Sequence, residues 1–220
     1  MTEYIPQSTE ESWQKAWEDA EIFHAKFNEG NPVFYCLEMY PYPSGKMHMG
    51  HVRNYSIGDS VARYKRLMGF DVLYPMGFDS FGMPAENAAI AEGGHPHDIT
   101  ERNMASITEQ IKRMGFSYDW RRLLKSHDPQ YYRWNQWFFL KFLENGLAYQ
   151  EFAPVNWCNS CNTVLANEQV KAGRCWRCNG PVIQKEMSQW FLNITKYAQE
   201  LLDGLENIDF PENVKALQQD

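Results

Sequence analysis

An apolar run, Val33-Phe34-Tyr35-Cys36-Leu37, passes into the loop Pro41-Tyr42-Pro43-Ser44-Gly45, and an amphipathic stretch follows as far as Met68. That order leaves few folds open. It reads as a buried strand, a rigid Pro/Gly loop, and a helix whose N-terminus carries His48 and His51, one turn apart. Val52, Ile57, Val61, Tyr64 and Met68 share one helical stripe, and Gly69 stands where a left-handed cap belongs. Asp71-Val72-Leu73-Tyr74-Pro75 then reads as a second strand. Strand, helix, strand in close succession is a βαβ unit with an expected right-handed crossover, so the chain is assigned to the α/β class. The first strand, Val33 to Met39, is apolar throughout rather than alternating, which suits a parallel strand covered on both faces.

Around this unit the sequence marks further elements. Ser8 and Glu11 make a capping box for a first helix carrying Trp13, Trp17, Ala20, His24 and Phe27, ended by Gly30. A short helix is expected over Ala85–Glu92, stopped by Gly93-Gly94. Asp98 with Glu101 forms a second capping box, for a helix reaching Met114 and capped by Gly115. Pro129 opens a helix through Tyr132, Trp137, Phe138 and Leu143 to Gly146. From Val155 to Met187 the texture becomes short strands, cysteines and turn residues. Helix is expected again from Gln189, with Trp190, Ile194, Tyr197, Leu201 and Leu205 on one face. The tail after Pro211 reads as polar, without a closing element. The segments are thus 1–32, a helix; 33–154, the sheet; 155–187, a cysteine module; and 188–220, helix and tail.

Composition bounds the partners. With 220 residues, 44% apolar and 22% charged, the chain can build one or two cored domains. A net charge of −7 argues against a general nucleic-acid binder, although a local basic patch could still meet RNA. Lys112, Arg113, Arg121, Arg122 and Lys125 are candidates for such a patch, or for a solvated helix face and loop. No apolar run approaches the ~20 residues that span a bilayer. Met1-Thr2-Glu3-Tyr4 lacks the basic and apolar regions of a secretory signal, so no membrane and a cytoplasmic location are expected.

Four of the five cysteines form Cys158-x2-Cys161-x13-Cys175-x2-Cys178. Two such knuckles close a tetrahedral Zn2+ site, and four thiolates leave no open position, so the ion reads as structural. Two disulfides or four free thiols are the other readings, and a reducing compartment disfavours the first. Cys36, inside an apolar strand, reads as a small core hydrophobe.

The free N–H groups at a helix N-terminus form an anion site, and imidazoles there add donors suited to phosphate charge. His48-Met49-Gly50-His51 resembles the His-Ile-Gly-His signature of class I aminoacyl-tRNA synthetases. The wider Pro41-Tyr42-Pro43-Ser44-Gly45-Lys46-Met47-His48-Met49-Gly50-His51-Val52-Arg53-Asn54-Tyr55 stretch looks like the leucyl-tRNA synthetase version. A second block, Gly77-Phe78-Asp79-Ser80-Phe81-Gly82-Met83-Pro84-Ala85-Glu86, is similar to the same family and lies at the expected distance downstream. Sister families for valine, isoleucine and methionine share the histidine element but usually differ in the preceding loop.

The resemblance covers essentially the whole chain. It implies the first half of a Rossmann-type, HUP-like parallel sheet with flanking helices and an inserted zinc ribbon. It implies ATP with Mg2+, leucine and tRNA(Leu) as substrates of a ligase. By resemblance, Pro41 to His51 line the ATP site, His48 and His51 hold the phosphates, and Gly50 lets adenine approach the backbone. Asp79 pairs with the leucine ammonium, while Met39, Tyr40 and Tyr42 shape its apolar pocket. The family's Lys-Met-Ser-Lys-Ser signature is absent before Asp220, as are an editing insertion and anticodon-binding helices. The sequence is therefore expected to be the N-terminal part of a synthetase, truncated or completed by the remainder of a split enzyme, and incomplete as a catalyst alone. The alternative is a non-catalytic synthetase-like zinc module that binds tRNA or a partner protein.

Overall fold

The computed structural model describes residues 4–219; Met1–Glu3 and Asp220, the outer ends of the first and last expected segments, lie outside the described residues. The chain divides after Arg133 into two compact units.

The first unit runs α1 (Pro6–Asp19), β1 (Val33–Tyr35), α2 (Met49–Leu67), β2 (Asp71–Leu73), β3 (Gly77–Phe78), α3 (Met83–Glu92), α4 (Pro96–Arg113) and β4 (Leu124–Lys125). The βαβ unit is present: β1 and β2 are parallel, with Val33 opposite Asp71 and Tyr35 opposite Leu73. β3 and β4 form a second parallel pair, Gly77 opposite Leu124 and Phe78 opposite Lys125. Tyr55 and Ala62 of α2, Met104, Ile107 and Ile111 of α4, and Val72, Tyr74, Met76, Phe78 and Tyr118 bury one continuous core. Cys36 joins that core, as expected, and burial pushes its thiol up to about 11. Gly69 follows α2 at φ +86°, where a residue with a Cβ would be strained.

Several boundaries differ from the sequence reading. Regular pairing of β1 stops at Tyr35 instead of Met39, although the Cys36 N–H still reaches the Leu73 carbonyl at 2.9 Å. Val33 and Tyr35 remain exposed among the described residues, so this strand is not covered on both faces. The first helix is capped by Ile5, with Pro6 opening it; the Ser8 hydroxyl donates to the Ile5 carbonyl at 3.3 Å instead of capping. It ends at Asp19, well before Gly30, because Glu21 turns to φ +51°. α4 begins at Pro96 under His95, whose Nδ1 accepts the His97 N–H, so Asp98 lies inside the first turn instead of capping it.

The second unit holds most of α5 (Pro129–Glu144), then β5 (Ala148–Cys158), β6 (Thr163–Leu165), β7 (Val170–Lys171), β8 (Arg174–Cys175), β9 (Val182–Leu192), α6 (Ala198–Gly204) and α7 (Glu212–Gln219). β5 and β9 pair antiparallel over their whole length, from Ala148 opposite Leu192 to Cys158 opposite Val182, and β6 extends this ribbon at its cysteine end. The helix expected from Gln189 is overturned: Gln189 and Trp190 lie on β9 opposite Glu151 and Gln150. Helical order begins only after Asn193, as a 3-10 turn over Ile194–Tyr197 followed by α6. The tail is also not structureless. The Pro211 carbonyl accepts the Val214 and Lys215 N–H groups, and α7 starts behind the proline.

Candidate active site

The loop between β1 and α2 is rigid because Pro41 and Pro43 are fully buried. It is also tied to α4: the Asn103 side chain donates to the Pro43 carbonyl at 2.9 Å, and Gln110 accepts the Met47 N–H at 3.3 Å. Ser44, Gly45 and Lys46 form its exposed tip. His48 is the N-cap of α2, its Nδ1 accepting the Gly50 N–H at 3.1 Å, and the His48 N–H in turn reaches Nδ1 of His51 at 3.2 Å. The two imidazoles stack with centroids 3.9 Å apart. Since both Nδ1 atoms accept backbone protons, each neutral ring carries its hydrogen on Nε2, the donor left for a ligand. Burial, helped by the neighbouring His48, holds His51 below the usual imidazole range and so favours its neutral form. Gly50 is required by this stack, for a Cβ there would lie 2.9 Å from the His48 ring.

A cleft of ≈ 300 Å³ is lined by Met39, Tyr40, Tyr42, Phe78, Asp79, Leu124, Ser126 and Tyr131. All four residues assigned by resemblance to the amino-acid pocket therefore share one wall system. The Tyr40 ring lies over Gly77, where a Cβ would come within 2.4 Å of it, and burial raises its phenol to about 12. The Asp79 N–H donates to the Pro41 carbonyl at 3.1 Å, fastening the cleft to the histidine-bearing loop. Phe78, Leu124, Ser126 and Tyr131 were not legible as lining residues. Strands as short as β3 and β4 have no periodicity to read, so their pairing was hidden. A wider cleft of ≈ 840 Å³ borders the loop at Met47, His48, Met49 and Val52. The cleft of ≈ 370 Å³ between α1 and residues 112–120 is lined by none of His48, His51 and Asp79.

The five candidate basic residues all face carboxylates: Lys112 to Glu18, Arg113 to Glu11, Arg121 and Arg122 to Asp119, and Lys125 to Glu101. Each thus has a carboxylate partner within the first unit, while Lys112, Arg113 and Arg121 remain exposed. No helix among the described residues is long and apolar enough to cross a membrane.

The sulfurs of Cys158, Cys161, Cys175 and Cys178 all lie within 4.8 Å of one another. Cys158 and Cys178 are 3.4 Å apart and Cys161 and Cys175 3.9 Å, while all four thiols are free of disulfides. Four sulfurs about 2.3 Å from a tetrahedral ion would be about 3.8 Å from one another, so the cluster fits. Asn162 and Asn179, each directly after the second cysteine of its knuckle, adopt φ +50° and +57°, the left-handed turn that folds each pair inward. Hydrogen bonding from the Gly180 backbone, with the Cys158 and Cys161 thiols, lowers the Cys178 thiol to about 6.

Residues 12–218 match the family described as tRNA synthetases class I (I, L, M and V). The chain is 57% identical over 98% of its length to a leucine–tRNA ligase of Oleidesulfovibrio alaskensis, covering 26% of that protein. It is 55% identical over 99% of its length to the leucine–tRNA ligase subunit alpha of Aquifex aeolicus, covering 34% of it. A crystal structure of a LeuRS–tRNA–LeuAMS ternary complex from Agrobacterium radiobacter K84 superposes with TM-score 0.90 at 41% identity, over 99% of this chain and 28% of that one. A methionyl-tRNA synthetase of Mycobacterium tuberculosis, at 21% identity and TM-score 0.70 over 84% of this chain and 37% of that one, shares the fold. The chain thus spans about a quarter to a third of these relatives. With a parallel α/β unit, a histidine-capped helix and a match along nearly its full length, the chain belongs to the class I tRNA synthetases of the isoleucine, leucine, methionine and valine group.

Proposed function

We propose that this chain carries the ATP- and leucine-binding part of a leucine–tRNA ligase. The observation that carries the reading is the Asp79–Pro41 backbone bond, which sets a cleft walled by Met39, Tyr40, Tyr42 and Phe78, with one carboxylate, beside a helix N-terminus bearing two imidazole donors. In this reading residues 33–154 contribute the first half of the nucleotide fold, 155–187 the metal ribbon and 188–220 the way onward. The leucine side chain packs on Met39, Tyr40 and Tyr42, and its ammonium pairs with Asp79. ATP, with Mg2+, lies along Pro41–His51. The leucine carboxylate attacks the α-phosphate, pyrophosphate leaves, and the leucyl group then passes from AMP to the terminal ribose hydroxyl of tRNA(Leu).

The protein's part in the first step is positioning and charge stabilisation. Nε2–H of His48 and of His51 face phosphate oxygens on which charge grows as pyrophosphate departs, and a neutral imidazole donates without needing a proton from solvent. The four cysteines hold Zn2+, which has no open position and acts on folding alone. Partners completing the site are the remaining three quarters of a synthetase, in the same chain or as a second subunit, and the setting is the cytoplasm.

The test is pyrophosphate exchange in the complete protein, with ATP and leucine varied separately. His48→Ala or His51→Ala should lower kcat by about 10^2–10^3, as for loss of one preorganised donor, with the leucine KM nearly unchanged. Asp79→Ala should instead raise the leucine KM. A His48→Ala enzyme with intact kcat and a raised leucine KM overturns the assignment.

A further inference from the structure

Asp79 begins a loop, and an aspartate in that position has a default of its own. Its carboxylate folds back onto the backbone N–H two residues on, making an Asx turn. A carboxylate so engaged points along its own loop and away from any ligand. Here that N–H, from Phe81, is already taken: it donates to Oγ of Ser126 at 3.0 Å. The Ser80 N–H donates to the same oxygen at 2.8 Å. With both acceptor positions filled, the single hydroxyl proton of Ser126 is left to donate, and Oδ1 of Asp79 lies within long hydrogen-bond reach of it, at 3.4 Å. The Ser126 N–H meanwhile donates to the Phe78 carbonyl at 3.1 Å, extending the β3–β4 pairing to this residue. Ser126 thus holds the loop backbone and steers the carboxylate at once, and it lines the same cleft as Asp79.

A second set of contacts keeps the two strands in step. The buried Ser80 hydroxyl meets Nδ1 of His127 at 2.7 Å, and Nε2 of His127 meets Glu101 at 3.1 Å. Glu101 takes Lys125 on both oxygens, at 2.9 and 2.7 Å. Partial burial opposes ionisation of Glu101, but Lys125 and His127 outweigh it and hold its carboxyl below the usual range. Residues 80, 126 and 127 are thereby clamped to α4.

We infer that Ser126, backed by the Ser80–His127–Glu101 chain, is a positioning residue that keeps the Asp79 carboxylate turned toward the cleft, where it meets the ammonium of an α-amino acid. The inference rests on the reading of Asp79 given under Proposed function. Removing the Ser126 hydroxyl frees two N–H groups beside Asp79, and the carboxylate turns onto them.

The experiment uses the complete protein and compares leucine with 4-methylpentanoate, which has the same chain and carboxylate but no ammonium. Ser126→Ala should raise the leucine KM in pyrophosphate exchange about tenfold or more, the scale of one charge-assisted hydrogen bond, with the ATP KM unchanged. Inhibition by 4-methylpentanoate should be unaffected. Ser126→Thr, which keeps the hydroxyl, should restore leucine to near the parent value. Equal weakening of leucine and 4-methylpentanoate by Ser126→Ala, or no rescue by threonine, overturns the positioning role. If Asp79→Asn leaves the leucine KM unchanged, the reading of Asp79 fails instead. If Asp79→Asn raises it and Ser126→Ala does not, the reading stands and this inference falls.

Discussion

Glu38 is a half-buried carboxylate in the first unit. It follows β1 toward the active loop, takes a hydrogen bond from the Tyr118 hydroxyl, and leaves its Oε1 buried without a hydrogen-bond partner among the described residues. Burial pushes its carboxyl above the usual glutamate range and the Asp59 charge adds to that; hydrogen bonds from Tyr118 and Tyr74 only partly offset the two. A carboxyl raised in the fold favours the folded state fully below the ordinary glutamate pKa. That contribution is lost as pH rises through the raised value. Glu38→Gln removes the ionisable group while keeping its size and an acceptor for Tyr118. The variant should melt a few degrees above the parent at pH 8, and the gap should close toward pH 4. A gap that is constant with pH would show that Glu38 is not the group that titrates.

Among the elements, α2 was legible because its signals are local and dense. The Pro/Gly loop, the spaced histidines and Gly69 all point to one helix, which spans Met49–Leu67. Its buried face, however, is Tyr55, Asp59 and Ala62, and Ile57, Val61, Tyr64 and Met68 of the expected apolar stripe stay exposed. The cysteine module was legible for the same reason: each knuckle writes its geometry within five residues. Most of what failed depended on partners distant in sequence. β9 carries Met187, Gln189 and Phe191 on its less exposed side, an alternation that belongs to a strand, yet large apolar residues continuing to Leu205 read as a helical face. The end of α1 turned on one backbone angle at Glu21, which no composition signals. Ser126 could not be found because its role arises only once β3 and β4 pair.

Gly50 shows how two element-level effects separate. Alanine at a helical position is favoured over glycine by about 1 kcal/mol. At Gly50 the added methyl collides with the His48 ring, which must swing off the helix end and give up its cap, a loss of about 0.5–2 kcal/mol. The two nearly cancel, so Gly50→Ala should leave the melting temperature close to the parent's. Activity should not be spared, because the displaced ring takes its Nε2–H with it. Adenylate formation in the complete protein should fall about 10^2-fold or more, as for loss of a preorganised donor. Normal exchange kinetics for Gly50→Ala would show that the stacked arrangement is not the working one.

At the scale of the whole chain, the two units rest on different physics. The first has an extensive buried core of aromatic and aliphatic side chains spread over α2, α4 and the strands. The second buries little: Cys158, Leu165 and Cys175 form its cluster, with Cys161, Val170 and Val182 packed at the edge. Phe152, Trp190 and Ile183 stay exposed on its ribbon. A core made half of thiols cannot supply much hydrophobic free energy, and four thiolates without an ion would repel one another. Small units of this kind draw their folding energy from the metal, which binds the folded arrangement alone. Purified protein should therefore carry close to one zinc per chain. A strong chelator, or Cys158→Ser, should abolish the calorimetric transition of residues 134–220 while that of residues 1–133 keeps its midpoint. Circular dichroism should show loss of the ribbon with the α2 and α4 helices retained. Were the chelated protein to keep both transitions unshifted, the ribbon would be held by its strand pairing alone, and the four cysteines would have no metal to hold.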